Sequence, residues 1–307
     1  MSRAEDAGAR SAAGVGFALA AFGLWGVNPV YFKAVDHISA LEVLAHRVVW
    51  TVVMLAVLIS LTSGWRPVAE ALRDRRTLGL LALSTLLISV NWLIYIWAIA
   101  AERVLETSLG YFINPLVSVL LGVVVLRERL SALQAVAVLL AAAGVANLAL
   151  GAVGLPWVAL SLAVTFGLYG LIRKTVRIGS VDGLFAETAA MLPAALVYLW
   201  LFGSAGHFLS GSTSDTLLLL ASGLVTATPL LLFTSAARRL RLSTIGMFQY
   251  LAPSCQFLLA VFVYGEAFTQ SHLWTFLCIW TALAVFTFDS LRTARRDRAA
   301  AQPAGAE

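Results

Sequence analysis

Apolar residues in this chain come in long runs separated by short polar intervals, not in the one-sided rhythm of a water-facing helix. Windows of about 20 apolar residues are the length that crosses a hydrocarbon layer as an α-helix. Ten such windows can be marked: 14–33, 42–61, 78–99, 105–126, 132–149, 154–172, 184–202, 217–236, 243–264 and 271–289. Most connections between them are short, so no soluble domain is left to house a separate activity. The pattern predicts an all-α membrane protein of ten transmembrane helices whose function sits among those helices.

The runs are also duplicated. Gly110-Tyr111-Phe112-Ile113-Asn114-Pro115 leads through an apolar segment to Glu128, and Phe248-Gln249-Tyr250-Leu251-Ala252-Pro253 leads through another to Glu266, with proline and glutamate each displaced by 138 positions. Upstream, Phe22-Gly23-Leu24-Trp25-Gly26 is answered by Phe166-Gly167-Leu168-Tyr169-Gly170. The halves run from 14 to 149 and from 150 to 290, with polar tails at 1–13 and 291–307. Five helices per half is an odd number, so the second copy must enter the membrane from the opposite side. Inverted repeats give one structure two near-equivalent packings, a route to alternating access around a midplane site.

Composition agrees, with 60% hydrophobic and 12% charged residues against about 25% charged in soluble domains. The net charge of +5 is explained by orientation, not by nucleic acid. With the N-terminus placed inside, eighteen of the 21 basic residues fall on that side. Lys33 and Arg103 fall outside and Arg47 lies within a helix. This is the positive-inside asymmetry, and it puts both termini in the cytoplasm. The first helix lacks a cleavage pattern and is expected to remain as an anchor. Cys255 and Cys278 lie inside predicted helices and read as small apolar thiols.

Polar residues within the runs are the candidate chemistry, because an ionised group at the bilayer centre costs about 2.5–3.5 kcal/mol and so faces a cavity or a partner. Arg47 in helix 2 and Glu187 at the matching depth of helix 7 read either as cavity-lining, with Arg47 binding an anion or an acid and Glu187 a cation or proton, or as structural ion pairs. Tyr111, Asn114 and Ser118 share one face of helix 4 beside Pro115. Gln249 and Gln256 do likewise in helix 9 beside Pro253, with Tyr250 adjacent. Helix 3 adds Asn91 and Tyr95, and helix 8 adds Thr228. Helix packing alone is the alternative reading of these faces. Trp97 is expected in the interfacial belt. Glu128 and Glu266, just past their helices, read as solvated charges or as latches that close one access state. Glu42 and His46 could form half of a metal site, but no second pair with ligand spacing follows, so no metal is expected. No nucleophile elbow, phosphate-cradling loop or Cys-x-x-Cys pair points to an enzyme.

Several longer motifs carry a family resemblance: FGLWGVNPVYFK at 22–33, LEVLAHR at 41–47, SVNWLIYIWA at 89–98, GYFINP at 110–115, RERL at 127–130, FGLYGLIRK at 166–174, TPLLLF at 228–233 and QYLAPS with the later YGE at 264–266. From about 14 to 290 the chain resembles the RarD-like group of EamA-type transporters in the drug/metabolite transporter superfamily. The resemblance implies a bacterial inner-membrane protein of ten helices in two inverted EamA repeats, small-molecule transport, and a link by name to chloramphenicol sensitivity. Ala252 stands where the first repeat has Asn114, so the two half-sites are expected to be chemically unequal. The expected function is secondary transport of a small metabolite, amino acid-like or drug-like, with export favoured by family analogy. A passive facilitator or exchanger, and a ligand-binding sensor, are the alternatives. No cofactor is expected. If protons drive transport, Glu187 is the carrier to test. The expected partners are the substrate and the lipid bilayer, with monomer and homodimer both open.

Overall fold

The computed structural model describes residues 3–301 except 102, 151–155, 204–205 and 266–269, with the backbone alone described for 3–10, 99–100, 104–105, 271 and 294–301. Among the described residues the secondary structure is helical, in the order α1 (Arg3–Ala34), α2 (Ala40–Leu61), α3 (Arg66–Arg73), α4 (Arg75–Ala100), α5 (Val104–Val124), α6 (Ala132–Ala149), α7 (Trp157–Thr175), α8 (Ser180–Phe202), α9 (Thr213–Ala237), α10 (Leu242–Gln249), α11 (Leu251–Phe262) and α12 (Gln270–Ala301). Ten spans are long and apolar enough to cross a membrane, and they coincide with the ten windows.

Three differences have physical causes. The window 243–264 is split at Tyr250 into α10 and α11. Pro253 has no N–H for the Gln249 carbonyl four residues back, so the helical ladder is interrupted there. The extra helix α3 lies in a polar connection and buries only Val68 and Ala71, against α4 and α8. The described parts of the two polar tails, 3–13 and 291–301, continue α1 and α12 as helix, because their alanine-rich sequences favour it.

Spans n and n+5 exchange roles in the main helix packings. The packing of α1 on α9 is answered by α7 on α4, that of α1 on α11 by α7 on α5, and that of α2 on α9 by α8 on α4. The pairs α2–α8, α6–α12 and α5–α10 map onto themselves. Two crossings depend on glycine. A Cβ on Gly26 would stand 2.5 Å from Cys255 Cβ, and one on Gly167 would stand 2.7 Å from Val117 Cγ1. Val117 and Cys255 are 138 positions apart, the offset of the duplicated motifs.

Connections expected on the cytoplasmic side do gather at one end. There Lys174 donates to the carbonyls of Ala237 and Leu240, Arg238 to that of Ile178, and Arg241 to that of Arg129. At the other end His37 pairs with Asp215 at 3.0 Å and Lys33 lies 4.0 Å over the Tyr264 ring. Trp97 stacks near Trp157 there, with Arg103 close to both rings, as a belt residue would. The outer surface is apolar, with Trp200 and Leu139 among its exposed residues, as expected when lipid is the solvent.

Candidate functional site

A cavity of about 330 Å³ lies between the two repeats. It is small within the usual range of ligand pockets, roughly 300–1,000 Å³. Each wall is one helical face. Phe22, Trp25, Pro29 and Phe32 form a stripe of α1 with Asn28 beside it, and Ile88, Asn91, Trp92 and Tyr95 form a stripe of α4. Tyr111 and Asn114 come from α5, Thr226 and Leu230 from α9, Arg47 from α2 and Phe166 from α7. Gln249, Ala252, Pro253 and Gln256 line the α10–α11 break.

The polar side chains are held by specific bonds. Arg47 Nε donates to Thr226 Oγ1 at 2.8 Å, and its guanidinium lies 5.0 Å from the Trp92 ring and 5.5 Å from the Phe32 ring. Thr226 is itself fixed by donating to the Ser222 carbonyl at 2.8 Å. Asn91 Nδ2 donates to Thr165 Oγ1 at 2.8 Å and to the Leu162 carbonyl at 2.9 Å, tying α4 to α7. Ser118 donates to Gln249 Oε1 at 3.1 Å, linking the two proline-bearing spans. Pro29 cannot serve the Trp25 carbonyl four residues back, and Gln256 Nε2 donates to that oxygen at 3.0 Å. Asn114 is 8% exposed and its Oδ1 has no hydrogen-bond partner.

The structure thus brings together Arg47, Asn91, Tyr95, Tyr111, Asn114, Gln249, Gln256 and Pro253. It places other expected residues elsewhere. Ser118 stands behind the wall as the anchor of Gln249. Thr226, not Thr228, faces the cavity, since two residues apart on a helix point to nearly opposite sides. Tyr250 is fully buried in the apolar cluster of Phe112 and Phe276, with its hydroxyl unpartnered. Pro115 does not break α5, and its carbonyl instead lies where a Gly246 side chain would have to go.

Glu187 is away from the cavity lining. Its carboxylate receives the Ser84 hydroxyl at 2.5 Å and the Tyr169 hydroxyl at 3.3 Å, and stands 3.6 Å from Arg173 Nη1. Both ionic partners are 1% exposed. Arg173, counted as a loop charge in the sequence, is the buried partner of this acid. Its room comes from Gly183, where a Cβ would meet the guanidinium at 2.1 Å from Nη1. Glu42 accepts from His207 N at 2.6 Å and faces His207 Nδ1 at 3.3 Å. His46 Nδ1 accepts from Trp50 Nε1 at 3.2 Å, so Glu42 and His46 serve loop and helix packing.

Glu128 is not solvated. It accepts from the N–H groups of Leu242 and Ser243 at 2.7 and 2.9 Å and from the Ser243 hydroxyl at 2.7 Å, with Arg241 Nε at 3.9 Å. A carboxylate from one repeat thereby caps the first turn of a helix in the other. Glu266 lies outside the described residues. Residues that sequence reasoning missed are Phe22, Trp25, Asn28 and Phe32. Their spacing along one face of α1, with an amide inside an apolar run, was the available signal.

Comparison with known proteins places this architecture. Residues 12–150 match the EamA-like transporter family. An uncharacterized transporter of Vibrio cholerae is 50% identical over 94% of this chain and 96% of its own length. The chain belongs to the EamA-like transporter family. Protein RarD of Escherichia coli is 44% identical over 92% of this chain and 96% of its own, so the relationship spans both repeats. A solved crystal structure at 19% identity covers 91% of this chain and 98% of that one with a TM-score of 0.71, which reports the shared fold. This EamA-family chain is therefore a multi-pass membrane protein among transporters.

Proposed function

We propose that the chain is a secondary transporter that carries a small molecule through the cavity between its repeats by alternating access. The observation that carries this reading is the cavity's position: Pro253, Gln249 and Asn114 line it at the level where the two proline-bearing spans meet. On one side of that level α5 and α10 are in close contact, with Gly246 against Pro115, Ser118 and Val119. On the other side α11 leans on α1 instead. The exchange of spans n and n+5 supplies a second packing in which the open and closed ends are swapped. The arginine-rich end is the cytoplasmic one, both termini lie there, and the membrane is the bacterial inner membrane. Export is the favoured direction by analogy with the family. Arg47, Asn91, Tyr95, Tyr111, Asn114, Gln249 and Gln256 line the route, and no cofactor enters.

The test is uptake of a pooled metabolite extract by inside-out vesicles, comparing wild type with Arg47→Ala. The expected result is a set of metabolites taken up by wild-type vesicles alone, with both proteins inserted at equal level. Identical uptake by vesicles with and without the protein would remove the transport reading.

A further inference from the structure

The charge balance of the cavity says what kind of molecule it takes, an inference that rests on the transport reading above. Among the described residues lining the cavity, Arg47 is the one charged side chain. Its Nε is satisfied by Thr226, and no described carboxylate stands within ion-pair distance of it. The acid at the matching depth, Glu187, is taken by Arg173. Among the described residues the terminal nitrogens of Arg47 have no hydrogen-bond partner, only the Trp92 and Phe32 rings nearby, and they form a fork suited to a planar carboxylate.

A second group points the same way. Asn114 borders the cavity, and its Oδ1, buried at the edge of that lining, accepts no hydrogen bond among the described residues. An unanswered buried acceptor is costly, so a ligand donor there gains more than it would in water. The rest of the wall is uncharged: Trp25, Phe166 and Trp92 are among its aromatic surfaces, and Asn28, Asn91, Thr226, Gln249 and Gln256 are among its neutral polar groups. A positively charged donor is disfavoured, because it would add a second cation to a cavity whose lining offers no carboxylate. A second negative charge would likewise find no partner.

We propose that the cavity binds small organic monoanions: a carboxylate on Arg47, a neutral donor such as a hydroxyl or amide N–H on Asn114 Oδ1, and an apolar body against the aromatic wall. Free amino acids, whose ammonium group makes them net neutral, are bound more weakly than the matching hydroxy acids.

The test measures binding to the purified full-length protein in nanodiscs with five probes of one skeleton. These are 3-phenyllactate, 3-phenylpropanoate, phenylalanine, phenylsuccinate and 3-phenylpropanamide. Phenyllactate is expected to bind most tightly. Loss of its hydroxyl should weaken binding roughly 2- to 12-fold, the value of one hydrogen bond, and the zwitterion, dianion and neutral amide should bind more weakly than phenylpropanoate. Asn114→Leu should abolish the preference for phenyllactate over phenylpropanoate while phenylpropanoate still binds. Arg47→Gln should abolish binding of both. Should that variant fail to fold, Arg47→Lys keeps the charge without the fork and is expected to weaken phenyllactate at least tenfold.

Phenylalanine or the amide binding as tightly as phenyllactate overturns the proposal. So does unchanged binding in Arg47→Gln, or no binding by any carboxylate. Counterflow of radiolabelled phenyllactate in vesicles separates the two readings. Binding without counterflow removes transport and leaves the ligand class standing, whereas transport of other metabolites without phenyllactate binding does the reverse.

Discussion

Arg173 and Glu187 are charged side chains whose roles the bare sequence could not divide. Arg173 sits near the end of an apolar run beside Lys174, so charge counting assigns it to a loop. The long side chain instead turns back and buries its head against Glu187, over a glycine that leaves it room. Arg173 Nε forms no hydrogen bond, so the pair is imperfectly satisfied. Breaking a buried ion pair from one side costs about 3–5 kcal/mol, whereas replacing both partners by apolar residues is often neutral. Arg173→Met should therefore lower unfolding stability in detergent by roughly that amount, and Arg173→Met with Glu187→Leu should recover most of it. A double variant no more stable than the single would show that Glu187 is held by Ser84 and Tyr169 alone. Because Glu187 does not border the cavity, Glu187→Gln should leave the pH profile of transport unchanged once protein level is matched. A shifted profile would restore the proton-carrier reading. Arg47 and Asn91 were legible because a polar group in an apolar run has few other uses. Trp25 and Phe32 were not, since aromatic residues in a membrane helix look the same whether they meet lipid, protein or a cavity.

Elements were legible in number and position but less so in continuity. Both Pro115 and Pro253 remove the same backbone donor, yet α5 continues and the ninth span breaks. The difference comes from what packs beside them. Gly246 brings α10 against the Pro115 carbonyl, where a Cβ would lie 2.6 Å from that oxygen, so α5 is packed closely along the turn that follows its proline. Gly246→Leu should thus force the spans apart and cost about 1–3 kcal/mol by overpacking, seen as a lower denaturation midpoint. An unchanged midpoint would mean that α10 can shift without loss. The turns after α5 and α11 show the repeat at finer grain. Arg127 has φ 55° and Gly265, one offset later, has φ 70°. Left-handed backbone costs a non-glycine residue about 1–2 kcal/mol, so Arg127→Gly should be neutral or raise stability by up to about 1 kcal/mol. A clear loss would assign the Arg127 side chain a bonding role of its own.

At the scale of the whole molecule, the odd number of spans per repeat and the skewed arginines are enough to argue two opposed halves. What they do not contain is which access state the chain prefers. That preference depends on pairwise fit between helix faces, and Glu128 is where it becomes specific. Its carboxylate joins the turn after α5 to the start of α10, next to Gly122, where even a methyl group would meet Glu128 Oε2 at 2.7 Å. If this contact holds the arginine-rich end shut, weakening it moves the population toward the state open at that end. Glu128→Gln keeps the shape and one acceptor oxygen but loses the charge that favours a helix N-terminus. A shift of about 1 kcal/mol changes a two-state ratio roughly fivefold. Asn114→Cys, placed on a background with Cys255 and Cys278 replaced by alanine, reports cavity access to a membrane-impermeant thiol reagent. In inside-out vesicles the labelling rate should rise about fivefold when Glu128→Gln is added, and in right-side-out vesicles it should fall. A rise from both sides would mean that the variant only loosens the fold, and no change from either side would leave Glu128 as a helix cap without a part in gating.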